Sequence, residues 1–209
     1  MRKAYCSETA FLKSVHKHKN DKEHFNLWWL GQSGFLIQWN GKHLLMDPYL
    51  SESLTKKYAQ TDKPHIRMTE KVVNPLNMDF IDVVTASHGH TDHLDPETLV
   101  PLVKSNNNLD LIVPAAEIEL AMERSSLSKN EIKSINAGET IESNGFTIHA
   151  IPSAHEKIKI DKNGNHFYLG YIVKFGSWVI YHSGDTVEYL SLIHISEPTR
   201  LLSICYAVF

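Results

Sequence analysis

Cysteine is nearly absent from this 209-residue chain, which holds only Cys6 and Cys205. Two cysteines near the opposite ends of a chain predict neither a disulfide framework nor a zinc site built from thiolates. A protein without disulfides suits a reducing compartment. We therefore expect a cytoplasmic location.

Long apolar runs are also missing. No stretch of about 18 apolar residues occurs, and residues 1–25, MRKAYCSETAFLKSVHKHKNDKEHF, contain no apolar core of signal-peptide length. We therefore expect neither secretion nor a membrane span. The hydrophobic fraction of 42% is that of an ordinary globular protein.

An excess of positive charge is lacking as well. The chain has 21 Lys and Arg residues against 24 Asp and Glu residues, which gives a formal net charge of -3. Proteins that bind nucleic acid do so largely through a basic surface, so nucleic acid is not an expected partner. A small-molecule substrate is expected instead, because even a phosphorylated one needs only local positive charge or metal. The sequence is compatible with a homo-oligomer as well as with a monomer.

Strand and turn patterns begin after a polar leader, which we place at residues 1–26. Residues 27–189 are predicted to form one domain, with hairpin turns at Asn40-Gly41 and Asn144-Gly145 and a helix that starts at Asp95-Pro96. Strands and helices alternate, but antiparallel meanders lie between them. This mixture predicts an α/β protein of layered α+β character, with two sheets covered by helices.

The last 20 residues have an unusual composition. Residues 190–200, LSLIHISEPTR, look like the translation of a sequencing adapter, and we expect the native sequence to end near Tyr189. Residues 190–209 are then a non-native tail, and His194 is excluded from any site. The alternative is a genuine C-terminal segment.

Histidine is abundant, with 13 residues in the chain. His16, His18 and His24 lie in the Lys-rich leader, where we expect solvated side chains. A dense cluster, His88-Gly89-His90-Thr91-Asp92-His93, follows a predicted strand and precedes a predicted helix. On an extended loop, the imidazoles of His88 and His90 can bind one cation, while Asp92 and His93 turn toward a second. Exposed polar loop residues are the disfavoured alternative, because these residue types rarely coincide by chance.

The motif His-x-His-x-Asp-His resembles that of the metallo-β-lactamase superfamily, and the resemblance extends from Leu27 to Asp185. The segments WWLGQSGFLI, MDP at residues 46–48, PSAH at 152–155 and YHSGDT at 181–186 look most like one branch. That branch contains L-ascorbate 6-phosphate lactonase and N-acyl phosphatidylethanolamine phospholipase D. The resemblance implies an αββα sandwich, here cut short in its C-terminal half.

The same resemblance implies a binuclear metal site. His88, His90 and His155 would bind the first ion, Asp92 and His93 the second, and Asp185 would bridge both. Asp92 and Asp185 are the candidate catalytic residues. The expected cofactors are two divalent ions, with zinc preferred and manganese or iron as alternatives.

A final histidine normally completes the second metal site in this family, on a strand beyond the bridging aspartate. This sequence reaches its unusual tail just after Asp185. We therefore expect an incomplete second site, and reduced metal affinity or no activity in the chain as it stands.

Three further residues are candidates for supporting roles. Asp47 is expected to orient a ligating imidazole, and His182 is expected to support the site without binding metal. His149 alternates with apolar neighbours and is predicted to face outward.

Two divalent ions about 3.5 to 4 Å apart can share a water and lower its pKa to near 7. The predicted function is therefore hydrolysis of a small phosphorylated, lactone or phosphodiester substrate by a hydroxide that bridges the metals. Three alternatives remain open: a nuclease-type member of the superfamily, an iron redox member, and a non-catalytic metal-binding module.

Overall fold

The computed structural model describes residues 1–187 and the backbone of Leu202–Ile204. The adapter-like tail predicted at residues 190–209 therefore lies outside the described residues, apart from that short backbone segment. No helix in residues 1–187 is long and apolar enough to cross a bilayer.

Six strands form the first sheet, adjacent to one another in chain order. They are β1 (Asn26–Gly31), β2 (Gly34–Trp39), β3 (Lys42–Met46), β4 (Val83–Thr85), β5 (Asp110–Pro114) and β6 (Ile132–Ile135). Strands β1 to β3 are antiparallel, and β3 to β6 are parallel.

The second sheet contains the later strands, again adjacent in chain order. They are β7 (Thr140–Ser143), β8 (Phe146–Pro152), β9 (Leu169–Phe175), β10 (Trp178–His182) and β11 (Leu202–Ile204). Strands β7 to β10 are antiparallel, and β11 pairs with β10 in parallel.

Four α-helices connect or precede these strands: α1 (Glu8–Lys17), α2 (Ser53–Tyr58), α3 (Pro96–Ser105) and α4 (Ile118–Ser125). Together with the two sheets they confirm the predicted α/β class and its layered arrangement.

Asn-Gly pairs close two of the hairpins, as the sequence predicts. Asn40 and Gly41 have φ angles of 48° and 75°, and Asn144 and Gly145 have φ angles of 49° and 86°. Two successive positive φ angles define a type I′ turn, whose twist matches that of the flanking strands. These turns set the registers Trp39↔Lys42 and Ser143↔Phe146.

Both faces of the first sheet are buried, which creates two apolar cores. Leu36 and Leu45 face the helices, whereas their chain neighbours Ile37 and Leu44 face the second sheet, since successive side chains on a strand point to opposite faces. All four side chains are fully buried. In residues 1–187 the layers are therefore helix, sheet and sheet.

The segment predicted as a polar leader contains a helix that packs on the core. Phe11 and Val15 of α1, four residues apart on one helix face, are buried with exposures of 1% and 3%. The side chain of Gln38 donates a hydrogen bond to the Val15 carbonyl at 2.8 Å. The sequence pattern does not indicate this contact, because Lys and His dominate the segment and only two buried side chains, Phe11 and Val15, carry the packing.

Candidate metal centre

The topology brings the ends of several strands to one edge of the sandwich. Strands β3 and β4 are parallel, so Asp47, after β3, and the loop at residues 88–93, after β4, leave the first sheet at the same edge. In the second sheet β8 and β10 flank the antiparallel β9 and therefore run in the same direction. The chain after β8 carries His155, and the chain after β10 carries Asp185.

The motif loop at residues 88–93 is turned rather than extended, which corrects the predicted conformation. The backbone N–H groups of His93 and Leu94 both donate to the His90 carbonyl, at 3.1 and 2.9 Å. This turn folds the loop back, so that the His93 ring lies 4.0 Å from the His88 ring between centroids.

Asp185 lies between two histidines of the motif. Its Oδ2 atom is 3.3 Å from Nε2 of His93 and 3.9 Å from Nε2 of His88. One ligand atom from each of His88, His90 and Asp185 lies within 4.8 Å of the others, a spacing that can hold a metal ion.

The remaining two predicted ligands, His155 and Asp92, lie next to these residues. The His155 ring centroid is 4.8 Å from that of His90, and Oδ2 of Asp92 is 3.8 Å from Nε2 of His93. The structure thus brings all six residues predicted as metal ligands together, although three separate segments supply them.

A buried carboxylate, Asp47, contacts the His93 ring at Nδ1, the nitrogen that does not face Asp185. Its Oδ2 atom lies 2.6 Å from Nδ1 of His93. Its two oxygens also accept hydrogen bonds from the Ser87 backbone N–H at 2.7 Å and the Ser87 hydroxyl at 2.5 Å. A carboxylate acceptor favours the proton on Nδ1, which leaves Nε2 directed at Asp185.

Charges within the site affect its three central groups differently. Burial, followed by the charge on His93, lowers the pKa of His88 to about 2, so this imidazole is neutral. Burial opposes charge on His93, but the carboxylates of Asp47 and Asp185 outweigh it and raise its pKa. Burial likewise opposes charge on Asp185, yet the hydrogen bond and charge of His93 hold the pKa of Asp185 below its usual range. The site therefore favours a positive charge beside Asp185.

The donor set fits a divalent metal ion. His88 Nε2 is buried and has no hydrogen-bond partner among the described residues, although buried polar atoms are rarely left unpaired. A neutral imidazole with a free nitrogen is a common metal ligand. Imidazole and carboxylate donors without thiolate suit zinc, manganese or iron.

The histidines that the sequence places outside the ligand set also lie outside this donor set in the structure. His182 is buried and its Nδ1 lies 3.9 Å from Oδ2 of Asp47, next to the site. His149 is half-buried on β8 and its Nδ1 lies 2.9 Å from the Thr140 hydroxyl. Neither His16, His18 nor His24 belongs to a metal-binding cluster in the described part of the chain.

A family model described as a beta-lactamase superfamily domain matches residues 26–202, which is most of the chain. The chain belongs to the metallo-β-lactamase superfamily. Among curated relatives, a UPF0173 metal-dependent hydrolase of Chelativorans sp. strain BNC1 is 31% identical over 174 residues, covering 81% of this chain and 66% of the relative. Another from Methanosarcina mazei is 28% identical over 169 residues, covering 76% of this chain and 60% of the relative. The chain thus spans less than two thirds of the length of these relatives.

A solved structure with the same superfamily fold comes from Veillonella parvula and is described as a possible metal-dependent hydrolase. It has a TM-score of 0.61 and 19% sequence identity, and the match covers 84% of this chain and 66% of that one. At this identity the likeness supports the fold alone.

Residues that no sequence pattern indicates also hold the motif loop at residues 88–93. Arg124 of α4 donates through Nη1 to the carbonyls of Gly89 and Leu94, at 2.7 and 3.0 Å. These carbonyls flank residues 90–93. The Arg124 guanidinium therefore links the two ends of the loop through hydrogen bonds. No local pattern could have indicated this, since Arg124 resembles any surface cation of an amphipathic helix.

Glu117 and Tyr168 also contact the loop or its histidines. A Cβ atom added at Gly89 would lie 2.7 Å from the Glu117 carboxylate, so this position accepts only glycine unless Glu117 moves. The Tyr168 ring lies 5.0 Å from the His88 ring and 5.4 Å from the His155 ring, between centroids. Glu117 and Tyr168 are far from the loop in the chain, so only tertiary packing brings them next to it.

Proposed function

We propose that this chain belongs to a binuclear metal-dependent hydrolase that acts on a small phosphorylated, lactone or phosphodiester substrate. The observation that carries the proposal is the position of Asp185, whose Oδ2 faces Nε2 of both His88 and His93. Relatives named metal-dependent hydrolases support it. Because the chain spans less than two thirds of these relatives, the activity of the whole protein is part of the proposal.

In this proposal His88, His90 and His155 would hold one ion, and Asp92 and His93 would hold the second. Asp185 would contribute to both sites. We propose zinc as the metal, with manganese or iron as alternatives that the same donors would accept. Divalent ions bound there would polarise the substrate oxygen and activate water near neutral pH.

The side chains of the chain have distinct tasks in the proposed reaction. Asp47 fixes the His93 ring through Nδ1, so that the ligating Nε2 atom does not rotate away. The Asp92 side chain is 26% exposed, so its carboxylate can accept a hydrogen bond from the attacking water and orient it toward the substrate. The Asp185 side chain is also 26% exposed and likewise lies at the edge of the site.

The test compares His90→Ala with His18→Ala in the protein extended to the full length of these relatives. His90 belongs to the donor set, whereas His18 follows α1, so the first variant should lose bound metal and hydrolytic activity while the second keeps both. Metal content is measured by elemental analysis of protein purified in zinc, and activity with a nitrophenyl phosphodiester and a simple lactone. Equal metal content in the two variants would refute the site.

The alternative functions predict different results when RNA and DNA are added to the substrates tested. Bound metal without turnover of either substrate would favour a non-catalytic metal-binding module. Bound iron with visible absorption would favour a redox member of the superfamily, and cleavage of RNA or DNA would favour a nuclease.

A further inference from the structure

A cleft of about 480 Å³ opens beside the metal loop and touches His90 and Asp92. Three cationic side chains line it: Lys57 at the end of α2, Lys63 in the turn that follows, and Arg124 of α4. The clustering is notable because the chain as a whole carries a net charge of -3.

Negative charge does not balance these cations within the cleft. Asp92 is the one acidic residue among its described lining residues, and the proposed function already assigns it to a metal ion. Neither Lys57 nor Lys63 takes part in an ion pair within the described residues, whereas the adjacent Lys56 pairs with Glu97 at 2.8 Å.

Arg124 contributes less free charge than the two lysines. Its Nη1 group donates to the carbonyls of Gly89 and Leu94, and the nearby Glu117 carboxylate interacts with its charge. Lys57 Nζ lies 5.2 Å from the centroid of the Tyr58 ring, a contact that leaves its charge without an acidic partner. Lys57 and Lys63 are therefore the groups whose charge an anion can neutralise.

A neighbouring part of the metal centre has a different character. A second cleft, of about 560 Å³, is lined there by Trp29 and Met68 as well as by the proposed ligands Asp92, His93 and Asp185. Its lining includes one permanent cation, Arg2. His65 and Asp92 border both clefts, so a substrate that spans the metal centre would meet a basic side and a more apolar side.

We propose that the cleft at Lys57 and Lys63 is a subsite for a phosphate group carried by the substrate, beside the bond that is hydrolysed. This inference rests on the proposed function and deepens it by naming the charge of the substrate and the side on which it binds. Two ammonium groups beside a guanidinium match a dianion better than a single carboxylate, and lysine binds phosphate as a compact point charge.

The test uses the zinc-loaded full chain and measures the dissociation constant of inorganic phosphate by calorimetry at low salt. Lys57→Met/Lys63→Met should weaken binding by about tenfold or more, since two charge-assisted hydrogen bonds are lost. The matched control is Lys13→Met/Lys17→Met on the exposed face of α1, which changes the net charge equally. This control should bind phosphate like the unsubstituted chain.

Three results would overturn the subsite: no phosphate binding by the unsubstituted chain, unchanged binding in the Lys57/Lys63 variant, or an equal loss in the control. Zinc content is measured in every sample, and phosphate binding is repeated after zinc removal. A chain that binds no zinc would thus refute the proposed function, whereas its phosphate binding would still test the lysines.

The phosphate could belong to a soluble ester or to a lipid headgroup, and a further comparison separates them. We expect glycerol 3-phosphate to compete with inorganic phosphate, and phosphatidic acid vesicles not to sediment the protein. Sedimentation that requires Lys57 and Lys63 would support the phosphate subsite and assign it to a lipid. Sedimentation together with failure of both soluble anions to bind would contradict it.

Discussion

The Oδ2 atom of Asp47 lies 2.6 Å from Nδ1 of His93, although 46 residues separate the two in the chain. Asp47 has no exposed surface and a positive φ of 43°, so the backbone turns sharply to direct its carboxylate at the imidazole. Burial of this carboxylate is compensated by His182, His93 and Ser87, which together hold its pKa below the usual range. The pair therefore fixes the orientation of a proposed metal ligand.

Asp47→Asn should weaken zinc binding by about 10- to 100-fold, because the amide cannot supply the charge that orients and polarises His93. Competition with a chromogenic chelator measures the affinity. Asp79→Asn, at an exposed position, is the control and should bind zinc normally. Unchanged affinity in the Asp47 variant would contradict the role of this pair.

Arg124→Met should also lower zinc affinity, by about tenfold, since the carbonyls of Gly89 and Leu94 lose their shared donor and the loop between them loosens. Lys129→Met removes a neighbouring exposed cation and serves as the control. The same chelator competition applies to both. If the two variants bound zinc equally well, Arg124 would have no role in holding the loop.

Phe11→Ala should reduce the free energy of unfolding by about 3 to 5 kcal/mol, because it leaves a cavity beneath α1. The Phe11 ring is 1% exposed and packs edge-on against Trp28, with ring centroids 6.1 Å apart. Urea denaturation measures the change. Lys13→Ala on the exposed face of the same helix should change the free energy by less than about 0.5 kcal/mol, and a similarly small effect at Phe11 would mean that α1 is not part of the folded core.

Asp82 predicts a pH dependence of stability. Its carboxylate accepts hydrogen bonds from Lys42 Nζ at 2.9 Å and from the His43 backbone N–H at 2.8 Å. Burial raises its pKa, but the hydrogen bonds of His43 and Lys42 outweigh burial and lower the pKa overall. A carboxyl group whose pKa is lower in the folded state stabilises the fold above its unfolded pKa of about 4, and this stabilisation is lost as the pH falls through the folded value.

Asp82→Asn should accordingly lose roughly 1 kcal/mol of stability at pH 7 relative to the unsubstituted chain. The difference should shrink as both proteins are unfolded at successively lower pH, below about pH 4. A difference that stays constant down to pH 3 would show that ionisation of Asp82 is not the cause.

Local residue patterns were sufficient for several parts of this protein. The Asn-Gly pairs at residues 40–41 and 144–145 predicted the hairpins, because they adopt successive positive φ angles at low cost. The cluster at residues 88–93 predicted His and Asp side chains on a loop after a strand, and its spacing alone carries that information. Their role as metal ligands stays a prediction. His155 and Asp185 were named through family resemblance, since their own surroundings in the sequence do not distinguish them from other polar loop residues.

The tertiary structure alone decided which distant loops share an edge of the sandwich. Pairing of β3 with β4, and of β8 and β10 with β9, brings Asp47, His155 and Asp185 to the motif loop. It also brings Arg124 against the loop from α4, and packs the two apolar residues of α1 into the core. Sequence patterns report neighbours a few residues apart, whereas strand order and sheet stacking bring together residues far apart in the chain. For that reason the histidine motif was visible in the sequence, while the contacts that orient it were not.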